Sequence, residues 1–145
     1  MPEEIIPPAA QSPRSATILV VEDDADIRDF LRQIIDTETP YQTIVESDGI
    51  GALERAQQLQ PCLLLVDYRL PGINGLEVYD RLQEREETRG VPVIMMSATL
   101  ANEELQCRGI YQLRKPKDEG GVIRMITHAL ASSEEQHLYK AQQYY

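Results

Sequence analysis

"CLLLVDYRLPGING", residues 62–75, decides the fold. Leu63 to Val66 form an unbroken apolar run that stops on a carboxylate, Asp67, before a turn with Pro71, Gly72 and Gly75. A short strand that is apolar at every position is buried on both faces, as in a parallel sheet covered by helices on each side. "TILVV" (17–21) and "VPVIMM" (91–96) share that character, and "YQTIVE" (41–46) and "IYQL" (110–113) are further short β-rich segments.

Helical periods separate these segments. Ile27, Phe30, Leu31, Ile34 and Ile35 recur at helical spacing behind acidic candidate caps. Asp48 precedes Ala52, Leu53, Ala56 and Leu59; Leu76, Tyr79 and Leu82 mark a third helix; Val122, Ile123, Met125, Ile126, Ala129 and Leu130 mark the last. Five strands alternating with helices predict a doubly wound α/β domain, because parallel neighbours require right-handed crossovers. No repeat of solenoid type is present.

The composition narrows the function. A chain of 145 residues with 42% hydrophobic content fits one domain around one core. A formal charge of −10 repels nucleic acid and anionic membranes, so a protein partner or a cation is the better match. Cys62 and Cys107 are too few for a disulfide framework and read as reduced, packed thiols. No apolar run approaches the roughly 18 residues of a membrane span, and "MPEEIIPPAA" lacks the positive charge of a secretory signal. The expectation is a soluble, cytoplasmic protein with a disordered arm over 1–16, a domain over 17–131 and a tail over 132–145. In that tail, Ser132 and Glu135 have capping-box spacing for a short helix.

In a doubly wound sheet, ligands bind beyond the carboxyl ends of the strands. Asp67 stands at that end of the third strand; Glu22, Asp23 and Asp24 stand at that end of the first. If those strands are neighbours, carboxylates converge, and a hard cation is what holds them ionised together. Magnesium suits the set, since it takes few protein carboxylates and leaves room for a phosphate oxygen. The fourth strand brings the Ser97 hydroxyl to the same rim, and "RKPK" brings Lys115 there after the fifth. A nucleophilic acid, a metal site, a hydroxyl and an ammonium make a phosphoryl-transfer site with an acyl-phosphate product.

These segments, in this order, resemble a response-regulator receiver domain of two-component signalling. The resemblance rests on "ILVVEDD", "SDGIGAL", "DYRLPGINGLEV", "SA" at 97–98 and "KP" at 115–116, and covers about residues 17–131. It implies a flavodoxin-like strand order 2-1-3-4-5. It implies Asp67 as phosphoacceptor, Ser97 and Lys115 as its helpers, and Mg2+ held by Glu22, Asp23, Asp67 and the backbone carbonyl of Arg69. It implies a histidine kinase or phosphotransfer protein as donor, signalling by protein–protein interaction with a downstream target or by phosphorelay, and no enzyme activity beyond the domain's own phosphorylation and dephosphorylation.

The departures lie in the output half. Ser97 and Lys115 are only 18 positions apart, so the fourth helix, about Leu100 to Gln106, is expected to be short. The family usually carries an aromatic residue three places before its lysine; this chain has Gln112, with Tyr111 one place early and hence on the opposite face unless a bulge intervenes. The competing reading is a pseudo-receiver that binds protein without phosphorylation. A haloacid-dehalogenase-like phosphatase would need a second Asp where Arg69 stands, and a flavodoxin-like nucleotide-binding protein would need a Gly-rich phosphate loop.

Overall fold

The unbroken apolar runs become the middle of a sheet. The computed structural model describes residues 15–98, 103–114 and 120–131. Strands β1 (Ser15–Val21), β2 (Gln42–Glu46), β3 (Pro61–Asp67), β4 (Val93–Ser97) and β5 (Tyr111–Arg114) pair in the order β2-β1-β3-β4-β5, each neighbouring pair parallel. Helices α1 (Ala25–Glu38), α2 (Gly49–Leu59), α3 (Gly75–Leu82), α4 (Glu103–Cys107) and α5 (120–131) lie on its two faces. The doubly wound architecture and its strand order are those the sequence predicts. β1 takes in Ser15 and Ala16 from the expected arm. The rest of that arm, and the expected tail over 132–145, lie outside the described residues.

Side chains alternate between the faces of a strand, so one apolar run supplies two cores. Leu19, Val21, Leu64, Val66, Val93 and Met95 face α2, α3 and α4, where Ala52, Ala56, Leu76, Val78, Leu82 and Leu105 meet them. Ile18, Val20, Leu63, Leu65, Ile94 and Met96 face α1 and α5, against Leu31, Ile34, Ile35, Val122, Ile126 and Ala129. Each large side chain buried this way stabilises the fold by roughly 1.5–3 kcal/mol.

Three helices start where a short polar side chain can take up free backbone N–H groups. The Asp24 carboxylate accepts from the N–H groups of Asp26 and Ile27 at 2.9 and 3.1 Å, Asp48 from Gly51 at 2.8 Å, and Asn74 from Glu77 at 2.9 Å. Caps of this kind are worth about 1 kcal/mol each. Asn74 matters most for position, because it starts α3 only a turn beyond β3. There the Gly75 N–H donates to the Tyr68 carbonyl at 2.9 Å.

Three details depart from expectation. A single helical turn, Glu86–Arg89, follows α3, and its buried Thr88 donates a hydroxyl hydrogen bond to the Leu82 carbonyl at 2.7 Å. The surrounding charged run has no apolar period to announce it. Val78, absent from the expected stripe, is fully buried on α3. Cys62 is half-buried with its thiol directed to the Thr17 carbonyl, as a packed thiol should be, whereas Cys107 at the end of α4 is exposed. Among the described residues no helix is long and apolar enough to cross a membrane.

The segment containing α4 is seated by polar contacts as well as by Leu105. Arg108 forks onto both oxygens of Asp80 on α3, at 2.8 and 3.2 Å, and also donates to the Glu104 carbonyl at 3.0 Å. The Tyr79 hydroxyl donates to the Arg108 carbonyl at 3.2 Å. Burial, and then the Asp80 carboxylate, push the Tyr79 hydroxyl above its ordinary value of 10.0, with Arg108 acting the other way.

Two outcomes follow from this packing. A Cβ on Gly75 would stand 2.5 Å from the Asp67 carbonyl oxygen and 2.6 Å from the Met95 sulfur, so Gly75→Ala must push α3 off β3. Urea unfolding should show a loss of about 1–3 kcal/mol, outweighing alanine's better helix propensity. Because the folded protein keeps the Tyr79 proton longer than the unfolded chain, Tyr79's contribution is complete below about pH 10 and is lost as pH rises through the raised value. Tyr79→Phe should remove that part of the alkaline decline, read as the difference between the two stability–pH curves; parallel curves would contradict it.

Candidate metal centre at the strand ends

β1 and β3 are hydrogen-bonded neighbours in register, Val21 opposite Val66, so Glu22 and Asp67 leave the sheet at the same level. Glu22, Asp23 and Asp67 each offer a carboxylate oxygen within 4.8 Å of the others. Glu22 is fully buried, Asp67 is 2% exposed and Asp23 is open to solvent.

Main-chain bonds hold these groups in place. The Glu22 N–H donates to the Glu46 carbonyl at 3.0 Å, which carries the β1–β2 ladder one residue past the strand. The Glu22 carboxylate accepts from the Asp24 N–H at 3.1 Å, and Asp24 in turn caps α1. On the other side the Tyr68 N–H donates to the Met96 carbonyl at 2.8 Å, extending the β3–β4 ladder, and the Arg69 N–H donates to Asp67 Oδ1 at 3.2 Å. The acids therefore converge because the sheet continues, through single hydrogen bonds, into the loops that carry them.

The other expected site residues are placed less completely. Arg69 is exposed in the turn after β3. Ser97 ends β4, half-buried, one residue beyond the level at which Met96 pairs with Asp67. Lys115 follows β5 directly and lies outside the described residues.

Three carboxylates so close together repel: at 4 Å two unit charges cost roughly 1 kcal/mol in water and roughly 4 kcal/mol in the screening of a protein surface. The donor set is oxygen alone, with no imidazole or thiolate among the three, which suits a hard cation and not zinc or copper. These residues can hold a metal ion.

Arg28 is the site residue that sequence reading misses. Its guanidinium Nη1 donates to the carbonyls of Glu22 and Asp23, at 3.0 and 3.3 Å. The available signal is electrostatic: Arg28 is a cation in the first turn of α1, where the helix dipole favours negative charge.

The register at the far edge settles the question of Tyr111. β4 and β5 pair without a bulge, Ile94 with Tyr111, Met95 with Gln112 and Met96 with Leu113. Tyr111 thus shares the α1–α5 face with Ile94, and its ring meets His128 edge-on at 5.5 Å. Gln112, beside Met95, takes the α4 side, where the family usually carries its aromatic residue.

Known proteins are similar to this chain in sequence and fold. The family model of the response regulator receiver domain matches residues 18–136. The polar-differentiation response regulator DivK of Brucella ovis is 37% identical over 82 residues, which span 57% of this chain and 66%, just under two thirds, of DivK. The N-terminal domain of a response regulator receiver protein from Methanoculleus marisnigri is similar in structure, with a TM-score of 0.65 at 31% identity over 79% of this chain and 96% of that one. The chemotaxis protein CheY4 of Vibrio cholerae shares the fold, with a TM-score of 0.74 at 21% identity over 80% of this chain and 99% of that one. The sheet order, the acid cluster and the family match over both acid-bearing strand ends agree, and the chain belongs to the response regulator receiver domain family of two-component signalling.

Proposed function

We propose that Asp67 accepts a phosphoryl group from a histidine kinase or phosphotransfer protein, in a Mg2+-dependent reaction, and that the phosphorylated domain signals through a protein target. The observation that carries this reading is the convergence of the Glu22, Asp23 and Asp67 carboxylates at the ends of β1 and β3. Asp67 is the acceptor because its carboxylate sits at the end of the central strand with one oxygen oriented by the Arg69 N–H.

The Asp67 carboxylate attacks phosphorus in line with the departing imidazole nitrogen; a P–O bond forms, the P–N bond breaks, and an acyl phosphate results. No general base is needed, since the nucleophile carries no proton. Mg2+, held by Glu22, Asp23, Asp67 and the Arg69 carbonyl, would neutralise charge on the acids and on the incoming phosphoryl oxygens. The Ser97 hydroxyl donates to a phosphoryl oxygen, and Lys115, by resemblance, supplies a counter-charge. Asp23 is the solvent-exposed member of the cluster and marks the side from which the donor enters. The proposed place of work is the cytoplasm, and the net charge of −10 favours protein partners over nucleic acid.

Gln112 on the α4 side favours a second reading, a pseudo-receiver that binds its partner without phosphorylation. Intact mass after incubation with Mg2+ and acetyl phosphate decides between them. Wild type should gain one phosphoryl group and Asp67→Asn none; wild type without the gain, yet folded, favours the pseudo-receiver. Arg69 stands two places after the acceptor, where a long cation can shield the acyl phosphate from water. Arg69→Ala should therefore shorten the lifetime of the phosphorylated form, followed by the decay of the same mass shift; an unchanged lifetime would rule out shielding.

A further inference from the structure

We propose that Arg28 is a positioning residue for the metal centre: it holds the main chain that carries two of the three ligands. The proposal rests on the magnesium reading above. Arg28 Nη1 bridges the carbonyls of Glu22 and Asp23, at 3.0 and 3.3 Å. Glu22 is fixed independently, by its N–H on Glu46 and by its carboxylate on the Asp24 N–H. Asp23 is not: among the described residues, the bond from Arg28 is the hydrogen bond that reaches it. An exposed ligand on a loop binds a cation well only if its backbone is already in place, and Arg28 supplies that restraint from the first turn of α1.

The same side chain carries a charge that opposes a dication, so its two effects on affinity have opposite signs. Removing the charge alone would tighten metal binding; removing the bridge would loosen it. The guanidinium is half-exposed and spread over two carbonyl oxygens, which leaves its repulsion screened. Loss of an outer partner of a metal ligand typically lowers affinity by 10–100-fold. The bridge therefore dominates. It also accounts for an arginine at a helix position where the dipole disfavours one.

Calorimetric titration of Mg2+ into wild type, Arg28→Ala and Arg28→Lys tests this, with metal-free melting of the same samples as the fold control. Arg28→Ala should bind Mg2+ about tenfold more weakly, at the low end of the usual range. Arg28→Lys, which keeps the charge and a single ammonium donor, should fall between it and wild type. A folded Arg28→Ala that binds as tightly as wild type, or more tightly, overturns the proposal. A purely structural role would lower the melting temperature and leave affinity unchanged, and that also overturns it. Should Arg28→Ala not fold, wild-type affinity in Arg28→Lys does the same. A wild type that takes up no Mg2+ overturns the metal reading itself and this proposal with it, a result distinct from equal affinities in protein and variant.

Discussion

Mutual repulsion among Glu22, Asp23 and Asp67 is the constraint around which the rest of the molecule is arranged. Carboxylates at such spacing repel one another wherever nothing offsets their charge. The fold holds two of them from paired strands: Asp67 ends β3, and Glu22 stands one residue past β1. β1 and β3 are packed on both faces, and their register is continuous from Ile18 with Leu63 to Val21 with Val66. Burial over the whole sheet therefore fixes where these acids stand. An all-oxygen cluster of this kind could hold a hard cation.

The loops transmit the restraint. β1 continues through Glu22 into Asp24, which caps α1, and Arg28 reaches back from α1 to close the circuit. β3 continues through Tyr68 to Gly75, where the missing Cβ lets α3 begin close against the strand. Farther along, the Asp80–Arg108 fork and the Tyr79 hydroxyl tie the segment around α4 to α3. The described part of α4, Glu103–Cys107, is pinned in this way, while the start of the expected helix at Leu100 lies outside the described residues; Gln112 stands on the α4 side of β5.

Much of this was legible in the sequence, for physical reasons. Leu63 to Val66 could be read because continuous apolar runs have few other places to go, and Asp67 because a charge at the end of such a run needs a purpose. The acids of β1 joined it once strand adjacency was expected. The helical turn at Glu86–Arg89 was not legible, since its one buried contact is a threonine hydroxyl on a carbonyl and leaves no hydrophobic period. Arg28 escaped for a similar reason: it acts on main-chain carbonyls, which every residue has. Tyr111 could be assigned to one of two faces but not settled, because a single bulge would reverse the choice, and only the unbroken ladder excludes it.

Thermal melting of wild type and Asp67→Asn, each with and without saturating Mg2+, tests the central claim most directly. If the acids are held together against their repulsion, Asp67→Asn should melt higher than wild type in the absence of metal, and Mg2+ should raise the wild type while leaving the variant almost unmoved. A metal-free variant that melts lower than wild type, together with a wild type indifferent to Mg2+, would contradict it.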